Sequence, residues 1–513
     1  MATKIRRALV AGSEKPPVPP QAQVAGTVDS SERIEVTLLL RRPVSAAAAA
    51  ILKTAEKIGR QLPEKRRYLS HAQFRERLGA STDDIAKIDA FASAHNLTIV
   101  ETNIPARTVK VSGTIADITS AFETGKLALY KQEGTLFRGR SGTLSVPPEL
   151  AGIVIGVFGI DNRPAVKRRG TTTTAPARKK PASLNTKVKI PTRGTTFSVP
   201  QVASLYNFPT GLDGTGQCIA IIEINDVQNG KATGGGFLTS DLQAYFTSLN
   251  LPMPQVSVIG VDGGGNLPGP APGFDTEVTL DIEVAGAIAP GAQLAVYFGP
   301  NTTQGFLAAV QAALHDEVRK PSVISISWGS PEDAQYTDPQ LVNGLNDALQ
   351  DAAQLGITVC VATGDNGSAD LIPPEMGPNP QPHVDAPSCS PFALACGGTK
   401  LTVNGNVITN EVVWNDGAMS STPGSTGGGV SNLFARPTWQ SSLTIPNSPT
   451  GNVGRGVPDV SGHAATSAGY QIYLKGKWTA IGGTSAVAPL YAGLIARINQ
   501  QLATLNKPAA GFI

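Results

Sequence analysis

Beyond about residue 194, the apolar positions fall into short unbroken runs separated by stretches with helical spacing. Residues 218–224, 293–298, 323–327 and 357–362 are each largely apolar and bounded by turn residues, the signature of strands buried on both faces. Between them, residues 276–289, 303–315 and 338–353 carry apolar positions at helical intervals. Strands alternating with helices predict a parallel sheet flanked by helices, an α/β fold whose sites collect where strands end and loops begin.

The front of the chain has a different texture. Residues 34–40 and 107–111 alternate as strands do, and residues 70–78, 81–95 and 115–122 read as helices, with Ser70 and Ser81 as N-caps. This mixture predicts a small α+β domain over 31–162, preceded by a flexible segment, 1–30. From 163 to 193 there are ten Lys and Arg, no Asp or Glu, and a Thr171–Thr174 run. Such a stretch cannot bury apolar surface and reads as a basic linker open to proteolysis. Residues 194–513 then form the second domain.

Composition narrows the picture. The 513 residues are 41% hydrophobic and 16% charged, with 55 Gly and 39 Pro, which suits a turn-rich globular chain. No apolar run approaches the roughly 20 residues of a membrane helix, so no membrane partner is expected. The formal charge of +3 hides an asymmetry: residues 1–193 hold 32 basic against 16 acidic residues, and residues 194–513 hold 10 against 23. A front of +16 and a back of −13 predict docking of one on the other, loosened by acid that protonates the carboxylates. No recognition motif accompanies the positive charge, and no nucleic-acid partner is expected. Cys218 and Cys360 lie in strand-like runs as buried thiols, while Cys389 and Cys396 could bridge. No standard signal peptide is visible at the N-terminus.

The sharpest chemical signal is Gly482-Gly483-Thr484-Ser485-Ala486, followed by an apolar helix through Ala496. Ser485 falls at a helix N-terminus, where free N–H groups favour developing negative charge; it could be a nucleophile or simply a cap. Of the five histidines only His315, His383 and His463 follow the linker, and none stands in a setting that marks it as a base. Carboxylates offer an alternative. Glu277 and Asp281 are one helical turn apart, so their charges would compete and the pair would share a proton if buried; otherwise they are a solvated face. Asp365, in Gly364-Asp365-Asn366-Gly367 after a strand, could donate to an oxyanion if protonated, or be an ordinary turn residue.

The series Glu277, Asp281, Asp365 and Ser485 resembles the sedolisin family of serine-carboxyl peptidases, in particular its kumamolisin branch. The resemblance extends through Arg67-Tyr68-Leu69-Ser70, Val111-Ser112-Gly113-Thr114 and Phe137-Arg138-Gly139-Arg140 at the front. It continues through Ser325-Ile326-Ser327-Trp328-Gly329, Gly427-Gly428-Gly429 and Gly456-Val457-Pro458-Asp459 behind. It implies a subtilisin-like α/β domain preceded by a ferredoxin-like prodomain, and an acid-active endopeptidase made as a zymogen and cleaved within 163–193. By the same resemblance Ser485 is the nucleophile, Glu277 the general base and acid, Asp281 its orienting carboxylate and Asp365 the oxyanion donor. Glu223 and Trp328 extend the network, and Asp370 and Asp385 line substrate subsites. The implied partners are protein or peptide substrates and the chain's own prodomain as inhibitor, in a monomer acting extracellularly. The family's calcium loop would lie beyond Ile513, so no metal ligand is assigned. Two other readings stay open: a neutral subtilisin-like protease using one of the three histidines, and an inactive peptidase-like binding protein.

Overall fold

In the computed structural model, which describes residues 7–19, 21–168, 171–173, 196–370, 381–417 and 424–513, six parallel strands frame the second domain. Their order is Gln255–Gly260, Gln293–Pro300, Cys218–Gln228, Val323–Ile326, Thr358–Ala362 and Leu394–Asn404, with Val407–Val413 antiparallel at the edge. The central strand shows why its residues are continuously apolar. Ile219 and Ile221 face a core shared with the helices Pro272–Ile288 and Val487–Thr504. Ala220, Ile222 and Ile224 face a second core shared with the helices Thr303–Leu314 and Pro339–Leu355. A strand buried on both faces has no polar side to show.

The front domain is a four-stranded antiparallel sheet in the order Thr98–Asn103, Thr108–Thr114, Arg33–Leu40, Val154–Phe158. Numbered along the chain this is 2-3-1-4, the ferredoxin-like arrangement. Val36, Leu38 and Leu40 pack beneath the helices Thr82–Ala94 and Ile115–Phe122, while Leu39, pointing the other way, joins a core of the second domain. The sheet therefore docks its open face on the helices Thr303–Leu314 and Pro339–Leu355. Gln304 donates to Thr37 (3.0 Å) and Gln311 to the Ala106 carbonyl (3.2 Å).

The charge asymmetry is spent at this interface. Arg107 reaches Asp351 at 2.8 Å with both side chains buried, Arg42 bridges Asp351 and Asp347, and Lys15 and Lys110 meet Asp338 and Asp262. At Asp351 the expected release by carboxylate protonation is moved to lower pH. Burial alone would raise the Asp351 pKa, but Arg107 and Arg42 outweigh it and hold the group below its ordinary value of 3.8.

Within the N-terminal segment expected to be flexible, of which residues 7–19 and 21–30 are described, Ala8–Leu9 pairs with Ser145–Val146, Gln23–Gly26 pairs with Leu127–Gln132, and Arg7 bonds Ser145. Cys389 and Cys396 do not bridge; all four cysteines are free and buried. Of the basic linker, residues 169–170 and 174–193 lie outside the described residues.

Candidate active site

The helix Pro272–Ile288 begins at a proline in its first turn and is buried from Asp275 onward. A helix buried all round has no solvated face, so the bland reading of its acids fails: Glu277, Asp281 and Glu283 are all inaccessible to solvent. Asp275 anchors the start, accepting from the Gly236 and Gly269 amides and pairing with Lys475.

Glu223 arrives from the central strand, and the Trp328 indole donates to it at 3.1 Å. Trp328 is itself fixed by stacking on Phe274, with ring centroids 5.3 Å apart. Burial pushes the Glu223 carboxyl well above the usual carboxylate range; Glu277 adds to the effect and the indole N–H opposes it. Asp281 is displaced upward in the same way, first by burial and then by Glu223 and Glu277, against one hydrogen bond from Ser327. Three acids are thus gathered within electrostatic reach. Such a set holds protons in common rather than ionising together.

The turn bearing Ser485 lies against this helix. Gly483 sits at φ 133°, a conformation a side chain would strain, and delivers Thr484–Ala486 as a 3-10 turn leading into the helix Val487–Thr504. The Ser485 hydroxyl is buried and makes no hydrogen bond among the described residues. Asp365 follows the strand Thr358–Ala362, and its Oδ1 accepts from the Thr484 amide and hydroxyl, both at 2.8 Å. The four expected residues Glu277, Asp281, Asp365 and Ser485 are thus brought to one place, with Glu223 and Trp328 beside them.

The histidines are engaged elsewhere. His315 packs on Phe74 of the front domain at 5.3 Å, His383 lies 2.6 Å from Asp333, and His463 sits between the Leu401 amide and the Ala468 carbonyl. Burial lowers His315 and His463 to about 4.

Two short strands of the linker flank Ser485. Lys167–Arg168 pairs antiparallel with Trp328 and Gly329, and Thr171–Thr173 pairs antiparallel with Ala480, Ile481 and Gly482. Asp385, on the strand next to Ser330 and Pro331, fills the space a Cβ would need at Gly329, so it stands beside the register position of Lys167. Asp370 is buried at the end of the turn Gly367–Ala369.

Sequence reasoning gave no role to Ser327. Its hydroxyl donates to Asp281 at 2.7 Å and lies 3.4 Å from the Ser485 carbonyl. The only signal was its place directly before Trp328. Among the described residues no cluster of three or more His, Cys, Asp or Glu is placed to hold a metal ion, so the calcium implied by the resemblance finds no ligand set there. No helix among them is long and apolar enough to cross a membrane.

Residues 20–163 match the pro-kumamolisin activation domain, and residues 266–509 match the subtilase family. Kumamolisin of Bacillus sp. (strain MN-32) is 43% identical over 491 residues, 94% of this chain and 83% of that protein. Tripeptidyl-peptidase sed5 of Aspergillus fumigatus is 28% identical over 524 residues, 95% of this chain and 84% of that protein. Among solved structures, Pseudomonas sedolisin, a serine-carboxyl proteinase complexed with two molecules of pseudo-iodotyrostatin, is similar at a TM-score of 0.52. It has 28% identity and covers 62% of this chain and 84% of that one.

Proposed function

The chain belongs to the sedolisin family of serine-carboxyl peptidases, and on that premise we propose how its own residues divide the chemistry. It is an acid-active serine peptidase made as a zymogen with an activation prodomain. Ser485 attacks the scissile carbonyl, and Glu277 takes the hydroxyl proton and later delivers it to the leaving amine. Asp281 holds Glu277 in register, with Glu223 and Trp328 behind them. Asp365, protonated, donates to the oxyanion, since a neutral acid can do so where a carboxylate cannot. Water then releases the acyl group from Ser485 by the same proton traffic in reverse. The observation that carries this reading is the buried set Glu223, Glu277 and Asp281 packed behind the Ser485 turn, with every imidazole of the domain committed elsewhere.

An ionised base and a protonated donor coexist only in acid, which accounts for the acid dependence. The linker pairing on both sides of Ser485 supports an endopeptidase, because a cleft that holds chain on either flank has no need of a free end. It also narrows maturation from the wide linker to the bonds between Arg168 and Thr171. Asp385, beside the position of Lys167, supports a subsite that favours a basic side chain; Asp370 keeps the role the resemblance implies. Export to an acidic extracellular medium, with the prodomain as intramolecular inhibitor until cleavage, completes the proposal.

Turnover of a denatured protein at pH 3–4 by the activated enzyme tests it. Glu277→Ala is expected to lower kcat by roughly 10²–10⁴-fold. Wild-type levels in Glu277→Ala, or a mature N-terminus outside residues 169–171, would refute the assignment.

A further inference from the structure

Ser327 occupies the junction between the strands Val323–Ile326 and Trp328–Pro331 and is completely buried. Its hydroxyl carries one hydrogen and faces two acceptors, Asp281 Oδ2 at 2.7 Å and the main-chain carbonyl of Ser485 at 3.4 Å. The other Asp281 oxygen, Oδ1, is buried without a partner among the described residues, so Ser327 supplies the hydrogen bond that Asp281 receives there. Adjacent residues of one extended segment thus serve two acids: Ser327 meets Asp281, and Trp328 meets Glu223.

We infer that Ser327 is a positioning residue that couples the protonation state of Asp281 to the main chain of the nucleophile. This rests on the reading of Ser485 and Asp281 given above. When Asp281 is ionised, the Ser327 hydrogen points to Oδ2 and the Ser485 carbonyl is left without it. When Oδ2 carries a proton, that proton is donated to Ser327 Oγ, because a hydroxyl both donates and accepts. The Ser327 hydrogen then turns to the Ser485 carbonyl. No proton leaves the set; one hydroxyl rotates. The peptide joining Ser485 to Ala486 is held in one state and released in the other.

The groups that face Asp281 are Glu223 from the central strand, Glu277 on its own helix and Ser327, and the first two oppose its ionisation while Ser327 favours it. Removing the hydroxyl makes Asp281 keep its proton to higher pH. Because Glu277 and Asp281 act on each other's charge, the limb of the pH–rate profile that reports ionisation of the base is expected to follow.

The test is the kcat profile between pH 2 and 7 of the activated enzyme, matured from the full chain, with Ser327→Ala, Ser327→Thr and Ser327→Cys. In Ser327→Ala the ascending limb is expected to move toward neutrality by about one pH unit, since a hydrogen bond to a charged group commonly carries that much or more. KM should change less than about twofold, because no substrate contact is lost. Ser327→Thr, which keeps the hydroxyl, should retain the wild-type limb. Ser327→Cys, a weak donor, should shift it partway and serves as the measurement if the alanine variant does not fold. A lowered kcat with an unmoved limb in every folded variant lacking the hydroxyl would overturn the inference and leave Ser327 merely structural. Absence of acid turnover in the wild type, or full activity in Asp281→Asn, would instead overturn the reading on which it rests.

Discussion

Two aspartates in this protein are both buried and are displaced in opposite directions. Asp281 in the active site and Asp351 at the prodomain interface both lie out of solvent, and burial acts to raise both. Around Asp281 the nearest charges are Glu223 and Glu277, so the shift is reinforced. Around Asp351 they are Arg107 and Arg42, and the sign reverses. Depth alone therefore decides nothing about protonation; the companion does. Burial and like charge at Asp281 favour its protonated form, and the two guanidinium groups at Asp351 favour its charged one.

The sharpest way to break this contrast is to remove the chemistry. Ser485→Ala is expected to cut kcat by on the order of 10⁶-fold and to leave the chain at full length after incubation at pH 3–4, read by mass. Appearance of a mature product from that variant would mean that acid opens the linker without the site. The same variant is the vehicle for testing the clamp. Adding Asp351→Asn strands Arg107 with its countercharge gone, a loss of about 3–5 kcal/mol for a buried pair. Hydrogen exchange over the helix Pro339–Leu355 at pH 5 should then accelerate by at least about 10²-fold.

His315 sharpens the pH dependence. It is buried at the interface against Phe74, with Asp351 favouring its charge and Arg107, His71 and Arg75 opposing it. Its docked pKa of about 4 lies below the ordinary 6.5. The docked state therefore binds fewer protons than the opened one, and docking is fully supported above 6.5 and weakens as pH falls from there toward 4. At most this amounts to roughly 10²-fold in docking. In the Ser485→Ala chain, His315→Gln should flatten the rise in interface exchange between pH 6.5 and 4; an unchanged slope would remove His315 from the account. Asp351 contributes only lower still: its support is complete above about 3.8 and is lost as pH drops through its depressed docked value. The smallest effect belongs to Arg75→Ala. The Arg75–Glu317 pair is about half exposed on both sides, and its loss should cost below ~1 kcal/mol in thermal unfolding. If it matched Asp351→Asn, burial would not be what distinguishes the pairs.

Much of this was legible along the chain. The helix bearing Glu277 and Asp281, the four central strands and the caps Ser70 and Ser81 are local patterns, set by periodicity and short-range hydrogen bonds. What escaped is what distance creates. Ala8–Leu9 is a two-residue strand that exists only because Ser145–Val146 lies beside it, so no window of sequence could show it. Ser327 gains its role from Asp281 and Ser485, 46 and 158 residues away. The sign of the Asp351 shift depends on Arg42 and Arg107, which belong to the other domain. Whether Cys389 and Cys396 bridge stayed open for the same reason: Cys396 sits on a strand beside the one carrying Cys360, and spacing to Cys389 says nothing of where either thiol points.

Lys167–Arg168 and Thr171–Thr173 of the linker are held by their backbones, at Trp328–Gly329 and at Ala480–Gly482. A molecule so arranged meets its own peptide at an effective concentration no free substrate reaches. Its first turnover should therefore be unimolecular, with a half-life that is the same in dilute and concentrated solution, and only later generations of cleavage should depend on how many neighbours have already matured.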